Sequence, residues 1–149
     1  MNSVDECWVV FDRDKNKDFD RAIDLARKEK LKIAYSNECF ELWLLLHFKY
    51  TSAPLCAKEY IEKLNSCLSK VSKKKYTKSM KNVHELICEF EANAIKNAEK
   101  LMRFHAGKNI PISKKNPSTT VHLLVKRISE VKSKDRKSTR LNSSHRIRS

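Results

Sequence analysis

Glycine is almost missing from this chain: Gly107 is the single one in 149 residues. Loops that cradle a nucleotide phosphate rely on several glycines, because only a residue without a side chain lets the backbone come that close, so a P-loop nucleotide site is excluded. The five cysteines, Cys7, Cys39, Cys56, Cys67 and Cys88, form no CxxC pair, and an odd number suits no closed disulfide set. Reduced thiols in a cytoplasmic protein are the expectation, and the spacing does not suit zinc. No long apolar run is present either. The longest, CFELWLLLHF from Cys39 to Phe48, is about half a membrane span and carries Glu41, so no membrane association is expected. The N-terminus MNSVDECW has no basic stretch followed by an apolar one and does not read as a signal peptide.

Positive charge, by contrast, is abundant: 32 Lys and Arg against 18 Asp and Glu, a formal net charge of +14. Part of it lies in the last stretch, DRKSTRLNSSHRIRS, which lacks apolar periodicity. Within it, DRKSTRLNSSH matches the in-frame translation of a common sequencing-library adapter. Asp135 to Ser149 is therefore expected to be a disordered assembly scar outside the domain. Without it the chain is still basic, which favours a polyanionic partner such as nucleic acid.

The length suits one domain with its own core. Cys7 to Phe11 reads as a strand and Asp18 to Lys30 as a helix, with Phe19, Ile23 and Ala26 on one face. Leu31 to Tyr35 reads as a second strand. The run CFELWLLLHF, apolar nearly all round, reads as a buried helix. Strand, helix, strand, helix with short connections is the pattern of a βαβ unit, so residues 1–53 are expected to be a partial, parallel α/β core. Residues 54–134 read as a helical continuation of the same domain. Its elements are an amphipathic helix AKEYIEKLNSCL, a basic segment VSKKKYTKSMKN, and one long helix from Val83 to Phe104 that Gly107 terminates. A polar loop follows, and Ser118 or Thr119 then caps a last helix, VHLLVKRISEV.

The stretch WVVFDRDKNKDFD poses the chemical question, because an apolar run stops at Asp12 and Asp14 follows two places on. Asp12, Asp14, Asn16 and Asp18 can be turn and cap residues that bond backbone amides at the positive end of a helix. An EF-hand is ruled out: Lys17 stands where glycine is required and Ile23 where the bidentate glutamate belongs. The remaining reading is a magnesium site. Mg²⁺ wants oxygen ligands and often shares one or two carboxylates with a phosphate while keeping waters. In a parallel sheet the functional edge is the carboxyl end of the strands, where Asp12 and Asp14 fall, with Ser36, Asn37 and Glu41 past the same end of the second strand.

Glu41 lies in an otherwise apolar helix, where an ionised carboxylate is costly unless paired or bound to a cation. A capping box does not explain it, since the box position is Cys39 counting from Ser36 and Phe40 counting from Asn37. Glu41 is thus a third acidic candidate for the site, although pairing with a lysine is an alternative. His47 falls on a different helical face and reads as a histidine satisfied at the core edge. Lys70, Lys73, Lys74, Lys75, Lys78 and Lys81 surround Tyr76. A solvated loop is the plain reading of that charge run. Phosphate contact through Lys73, Lys74, Lys75 and Lys78, with Tyr76 available to stack, is the functional one.

The segments VVFDRDKN, SNECFELWLLLHF, YTK and NPSTTVHLLV together resemble the RloB-like family, over about Val9 to Ile128. Glu38 stands where that family usually has proline. The resemblance implies a Toprim-like, Rossmann-type α/β core and a divalent metal, Mg²⁺ or Mn²⁺, on Asp12 and Asp14. It further implies a nuclease acting on DNA or RNA in prokaryotic antiphage defence, and an ATPase partner of the AAA class. Toprim sites also use an early glutamate after a preceding strand. Glu6 precedes the Asp12 strand and cannot supply it, so the chain is expected to be an N-terminally truncated, catalytically incomplete piece. A non-catalytic nucleic-acid-binding or partner-docking module is the competing expectation.

Overall fold

The computed structural model describes the backbone of residues 5–148 and the side-chain surroundings of residues 5–137. Strand β1 (Trp8–Asp12) is followed by helix α1 (Phe19–Lys28) and strand β2 (Lys32–Asn37). β1 and β2 pair in parallel, Trp8 opposite Lys32 and Asp12 opposite Ser36, as the alternating pattern around α1 requires. Side chains alternate across the two faces. Phe11 and Tyr35 point to one face and meet Phe19 of α1 edge-on, with ring centroids 5.6 and 5.8 Å away. The other face carries Ala34 and Ser36 toward helix α2 (Glu41–Leu46) and the start of helix α6 (Val121–Arg148).

α1 ends without glycine. Lys30 takes the left-handed conformation (φ 58°), and the Lys30 and Leu31 amides bond back to the carbonyls of Arg27 and Ala26. This Schellman closure turns the chain directly into β2.

α2 is the centre of the molecule. Every residue from Glu41 to His47 is buried, and helices α3 (Ala57–Leu68) and α5 (Glu91–His105) flank it. Full burial of leucines such as Leu42, Leu45 and Leu46 contributes about 1.5–3 kcal/mol each. A short helix leaves its last carbonyls without helical partners. Here Asn97 and Asn93 of α5 donate their side-chain amides to the carbonyls of Leu46 and His47, at 2.8 and 2.9 Å.

The second half departs from the sequence expectation in three places. Val83 to Phe104 is not one helix. It splits into α4 (Val83–Ile87), a 3₁₀ turn (Cys88–Phe90) and α5, and the tightened turn sets the Phe90 ring against Phe48 at 5.1 Å. Gly107 (φ 82°) does not cap α5 directly. It forms the third position of a turn in which the Lys108 amide bonds the His105 carbonyl. Ser118 and Thr119 form a third strand, β3 (Ser118–Thr119), antiparallel to β2, rather than acting as caps alone. Thr119 Oγ1 still accepts the Val121 amide at the start of α6. Residues 54–134 are therefore not only helical: they complete a sheet of order β1-β2-β3 and share one core with residues 1–53.

The expected scar, Asp135 to Ser149, falls mostly on residues whose side chains lie outside the described set. α6 is assigned from Val121 to Arg148. A helix nucleated by packing at its N-terminal end propagates cheaply where neither glycine nor proline interrupts it. The side chains of Asp135, Arg136 and Lys137 are exposed, and those of residues 138–149 lie outside the described set.

All five cysteines are free thiols. Among the described residues no helix is long and apolar enough to cross a membrane.

Candidate acidic site

Parallel pairing brings the carboxyl ends of β1 and β2 to one rim. The pairing continues one step past the strands: the Arg13 amide bonds the Ser36 carbonyl at 2.9 Å and the Asp14 amide bonds the Glu38 carbonyl at 2.8 Å. Asp14 reaches that position through a left-handed backbone (φ 46°), which aspartate tolerates better than most side chains. Asp12 is the last residue of β1, and its Oδ2 accepts the Phe40 amide at 3.3 Å, from the segment entering α2. Both carboxylates are exposed, and no ion pair among the described residues includes either. The turn reading is satisfied elsewhere. Asn16 Oδ1 accepts the Asp18 amide, and Asp18 makes no side-chain cap bond to α1.

Glu41 is 2 % exposed and stands at the start of α2 on the same rim. Neither a lysine nor a cap explains it: the Tyr76 hydroxyl donates to its Oε1 at 3.0 Å. Burial and then the neighbouring Glu41 push the Tyr76 phenol well above its ordinary range, so it stays a donor. Burial, reinforced by Glu41, lifts the Cys39 thiol to about 12, which makes it inert at neutral pH.

Tyr76 is held from its other side, its amide donating to Asn65 Oδ1 of α3 at 2.7 Å. The basic segment is thus tied to the acidic rim at its midpoint, while Lys73, Lys74, Lys75 and Lys78 are exposed on either side.

Two rim residues serve the fold. Ser36 Oγ and Thr119 Oγ1 bond across the β2–β3 pair at 2.9 Å. Asn37, fully buried, directs its amide nitrogen at the carbonyls of Ile112, Ser113 and Lys115, which fastens that loop under the rim. His47 is buried with Nδ1 on the Trp43 carbonyl at 3.0 Å, a satisfied core histidine, and burial holds its pKa below the ordinary value.

Among the described residues no group of three His, Cys, Asp or Glu side chains is gathered closely enough to hold a metal. Asp12 and Asp14 remain as two hard oxygen donors at an exposed strand end, a donor set that fits a cation which keeps most of its waters. Glu41 stands behind them, committed to Tyr76. The sequence did not foretell the Glu41–Tyr76 bond, because a contact across 35 residues leaves no local trace. The Phe40 amide on Asp12 was equally hidden.

The geometry defines an α/β protein with an acidic rim at the carboxyl end of its parallel strands and a lysine segment tethered to it. The chain belongs to the RloB-like proteins: that family's model, RloB-like protein, matches residues 1–128. No curated protein and no solved structure matches the chain.

Proposed function

We propose that this chain carries the metal-binding part of a Toprim-type, divalent-metal-dependent nuclease of prokaryotic antiphage defence. The observation that supports the reading most is the rim itself. Asp12 and Asp14 leave the carboxyl end of a parallel strand, exposed and in no ion pair among the described residues, with Glu41 of the next unit behind them. Asp12 and Asp14 would hold Mg²⁺ or Mn²⁺, which when bound would stabilise charge on a phosphodiester. Tyr76 keeps Glu41 oriented and holds Lys73, Lys74, Lys75 and Lys78 where a phosphate backbone would pass. An ATPase of the AAA class is the proposed partner of the assembled system.

Glu6 does not supply the early glutamate of a Toprim site. It lies before β1, at the amino end of the sheet, bonded to Lys32 and Arg127. A second reading has its own support. The three acids do not close into one metal cluster, which favours a nucleic-acid-binding or docking module without catalysis.

Calorimetric titration with Mg²⁺ and Mn²⁺ separates the two. Metal heat in the wild type that disappears in Asp12→Ala/Asp14→Ala supports the nuclease reading. No heat in either protein, with salt-sensitive nucleic-acid binding retained, establishes the module.

A further inference from the structure

Beside the acidic rim lies a cavity of about 440 Å³ between α2, α4 and α6 that the rim chemistry does not use. Its size is within the range of ligand pockets, about 300–1,000 Å³. Phe40, just before α2, with Trp43 and Leu44 of α2 forms one wall, Val83 and Ile87 of α4 another, and Val125 and Ile128 of α6 the third. The polar lining consists of His47, His84, Glu91, Ser129 and Lys132, one acid among them. His47 lines the interior, and with its Nδ1–H given to the Trp43 carbonyl its Nε2 is left as an acceptor. His84 and Lys132 stand at exposed positions of the lining.

Phe40 joins the cavity to the rim. Its amide donates to Asp12 Oδ2, and its ring, 39 % exposed, lines the cavity. A group resting on that ring is therefore about one nucleotide's reach from a phosphate at Asp12. The basic segment supplies the second link. Its midpoint, Tyr76, is bonded to Glu41 on the rim, and the chain continues through Lys78 and Lys81 into α4, a wall of the cavity. Phosphates following the lysines would run from rim to cavity mouth.

We propose that this cavity receives one unpaired nucleobase of a single-stranded nucleic acid, stacked on Phe40, while an adjacent phosphate sits at the Asp12–Asp14 rim. A base within a duplex cannot enter a recess between three helices without leaving its stack, so the cavity selects single strands or an extruded nucleotide. Stacking on an aromatic ring suits any base, and the lysines hold the backbone whatever its sequence. The proposal rests on the nuclease reading for the phosphate at the rim, but the base pocket is tested separately.

The test is fluorescence anisotropy with a labelled single strand of mixed sequence, the same strand in duplex, and the same strand carrying abasic sites. A second readout is the emission of a 2-aminopurine strand, which quenches when the base stacks. The wild type is expected to bind the intact single strand at least about 10-fold more tightly than the duplex or the abasic strand, and to quench 2-aminopurine. Phe40→Ala is expected to weaken single-strand binding about 10- to 100-fold and to abolish quenching, with Phe40→Tyr retaining both. The quenching measurement on the wild type holds even if Phe40→Ala fails to fold. Equal binding of single strand, duplex and abasic strand, without quenching, overturns the base pocket and leaves the nuclease reading standing. No binding of any strand overturns both. A concentration-dependent dimer that Phe40→Ala dissolves would assign the cavity to a second copy of the chain and overturn the proposal.

Discussion

The two ends of the β1–β2 pair treat charge in opposite ways. At the amino end, Glu6 accepts from both Lys32 at the start of β2 and Arg127 of α6, and Arg127 also reaches Glu130 at 3.1 Å. Each of these four charges has a partner in the protein, and the cluster ties the entry of the sheet to α6. At the carboxyl end, Asp12 and Asp14 take part in no ion pair among the described residues, and the nearby Arg13–Glu38 contact is long, at 3.9 Å. The amino end is built to hold the fold together. The carboxyl end leaves its two carboxylates exposed.

The largest expected effect separates the ends by metal. Saturating Mg²⁺ should raise the melting temperature of the wild type. A site filled at about 100 times its Kd stabilises by about 2.7 kcal/mol. Asp12→Asn/Asp14→Asn should show no such rise, yet melt close to the metal-free wild type, because both side chains are exposed and an asparagine oxygen can still accept the Phe40 amide. A metal-free double variant that melts well below the wild type would mean that these aspartates hold the fold, and the contrast between the ends would collapse.

His122 offers a polar group that neither end serves. It is fully buried in the first turn of α6, and neither ring nitrogen has a partner among the described residues. Burial outweighs the nearby Glu99, with Lys126 adding to it, and lowers its pKa to about 4. The folded chain thus keeps this imidazole neutral, while the unfolded chain protonates it near 6.5. Stability contributed in this way is complete above pH 6.5 and is lost as pH falls from there toward 4, by about 3 kcal/mol at most. Denaturant melts of wild type and His122→Leu between pH 4 and 7 check it. The leucine variant should lose most of that slope, and an unchanged slope would clear His122 of the effect.

The bond between Tyr76 and Glu41 should matter at the level of one hydrogen bond. A bond to a charged acceptor contributes about 1.5–3 kcal/mol, and the half-buried Tyr76 belongs at the lower end. Tyr76→Phe and Glu41→Ala should each destabilise, and a double-mutant cycle should return a coupling of about 1 kcal/mol. Tyr76→Phe should also speed proteolysis within Lys70–Lys81. Independent, additive effects of the two substitutions would show that the lysine segment is not anchored at the rim.

The amino end is expected to answer to acid instead of metal. Hydrogen bonds from Lys32 and Arg127 hold the Glu6 carboxyl below its ordinary pKa. Its contribution is therefore present above the usual carboxylate range, near 4.5, and lost as pH falls below it. Glu6→Gln should lower the melting temperature slightly at neutral pH, with the difference from wild type closing at low pH and no change in the Mg²⁺ response. An altered metal response would place Glu6 at the functional end.

Local signals in the sequence sufficed where neighbours along the chain decide structure. The strand read at Cys7 to Phe11, the helical face of Phe19, Ile23 and Ala26, and the nearly all-apolar α2 each announce themselves, and together they place the Asp12–Asp14 turn at the rim. The sequence was silent where the partner lies far along the chain. β3 is two residues long and gains its identity only by pairing with Ser36 and Asn37, more than 80 positions earlier. The break at Cys88–Phe90 carries no glycine or proline to mark it. Glu41 was legible as an anomaly, an acid in an apolar helix, but its resolution by Tyr76 required the packing of α2 against the basic segment.

The smallest effect gives the finest comparison, because each end of the strand pair holds one non-glycine residue in the left-handed region: Lys30 (φ 58°) before β2 and Asp14 (φ 46°) after β1. That conformation costs an L-residue about 1–2 kcal/mol, partly offset in glycine by the larger entropy it loses on folding. Lys30→Gly should therefore stabilise by about 0.5 kcal/mol, and Asp14→Gly by less, since aspartate tolerates the region better than lysine. Both variants keep the backbone bonds that the turns require. The two should part company on metal. Lys30→Gly should bind Mg²⁺ like the wild type, whereas Asp14→Gly should bind it more weakly despite folding as well or better. Paired melts and calorimetric titrations decide the matter. Equal metal binding by both variants would mean that Asp14 is a turn residue like Lys30, leaving Asp12 alone to carry the cation.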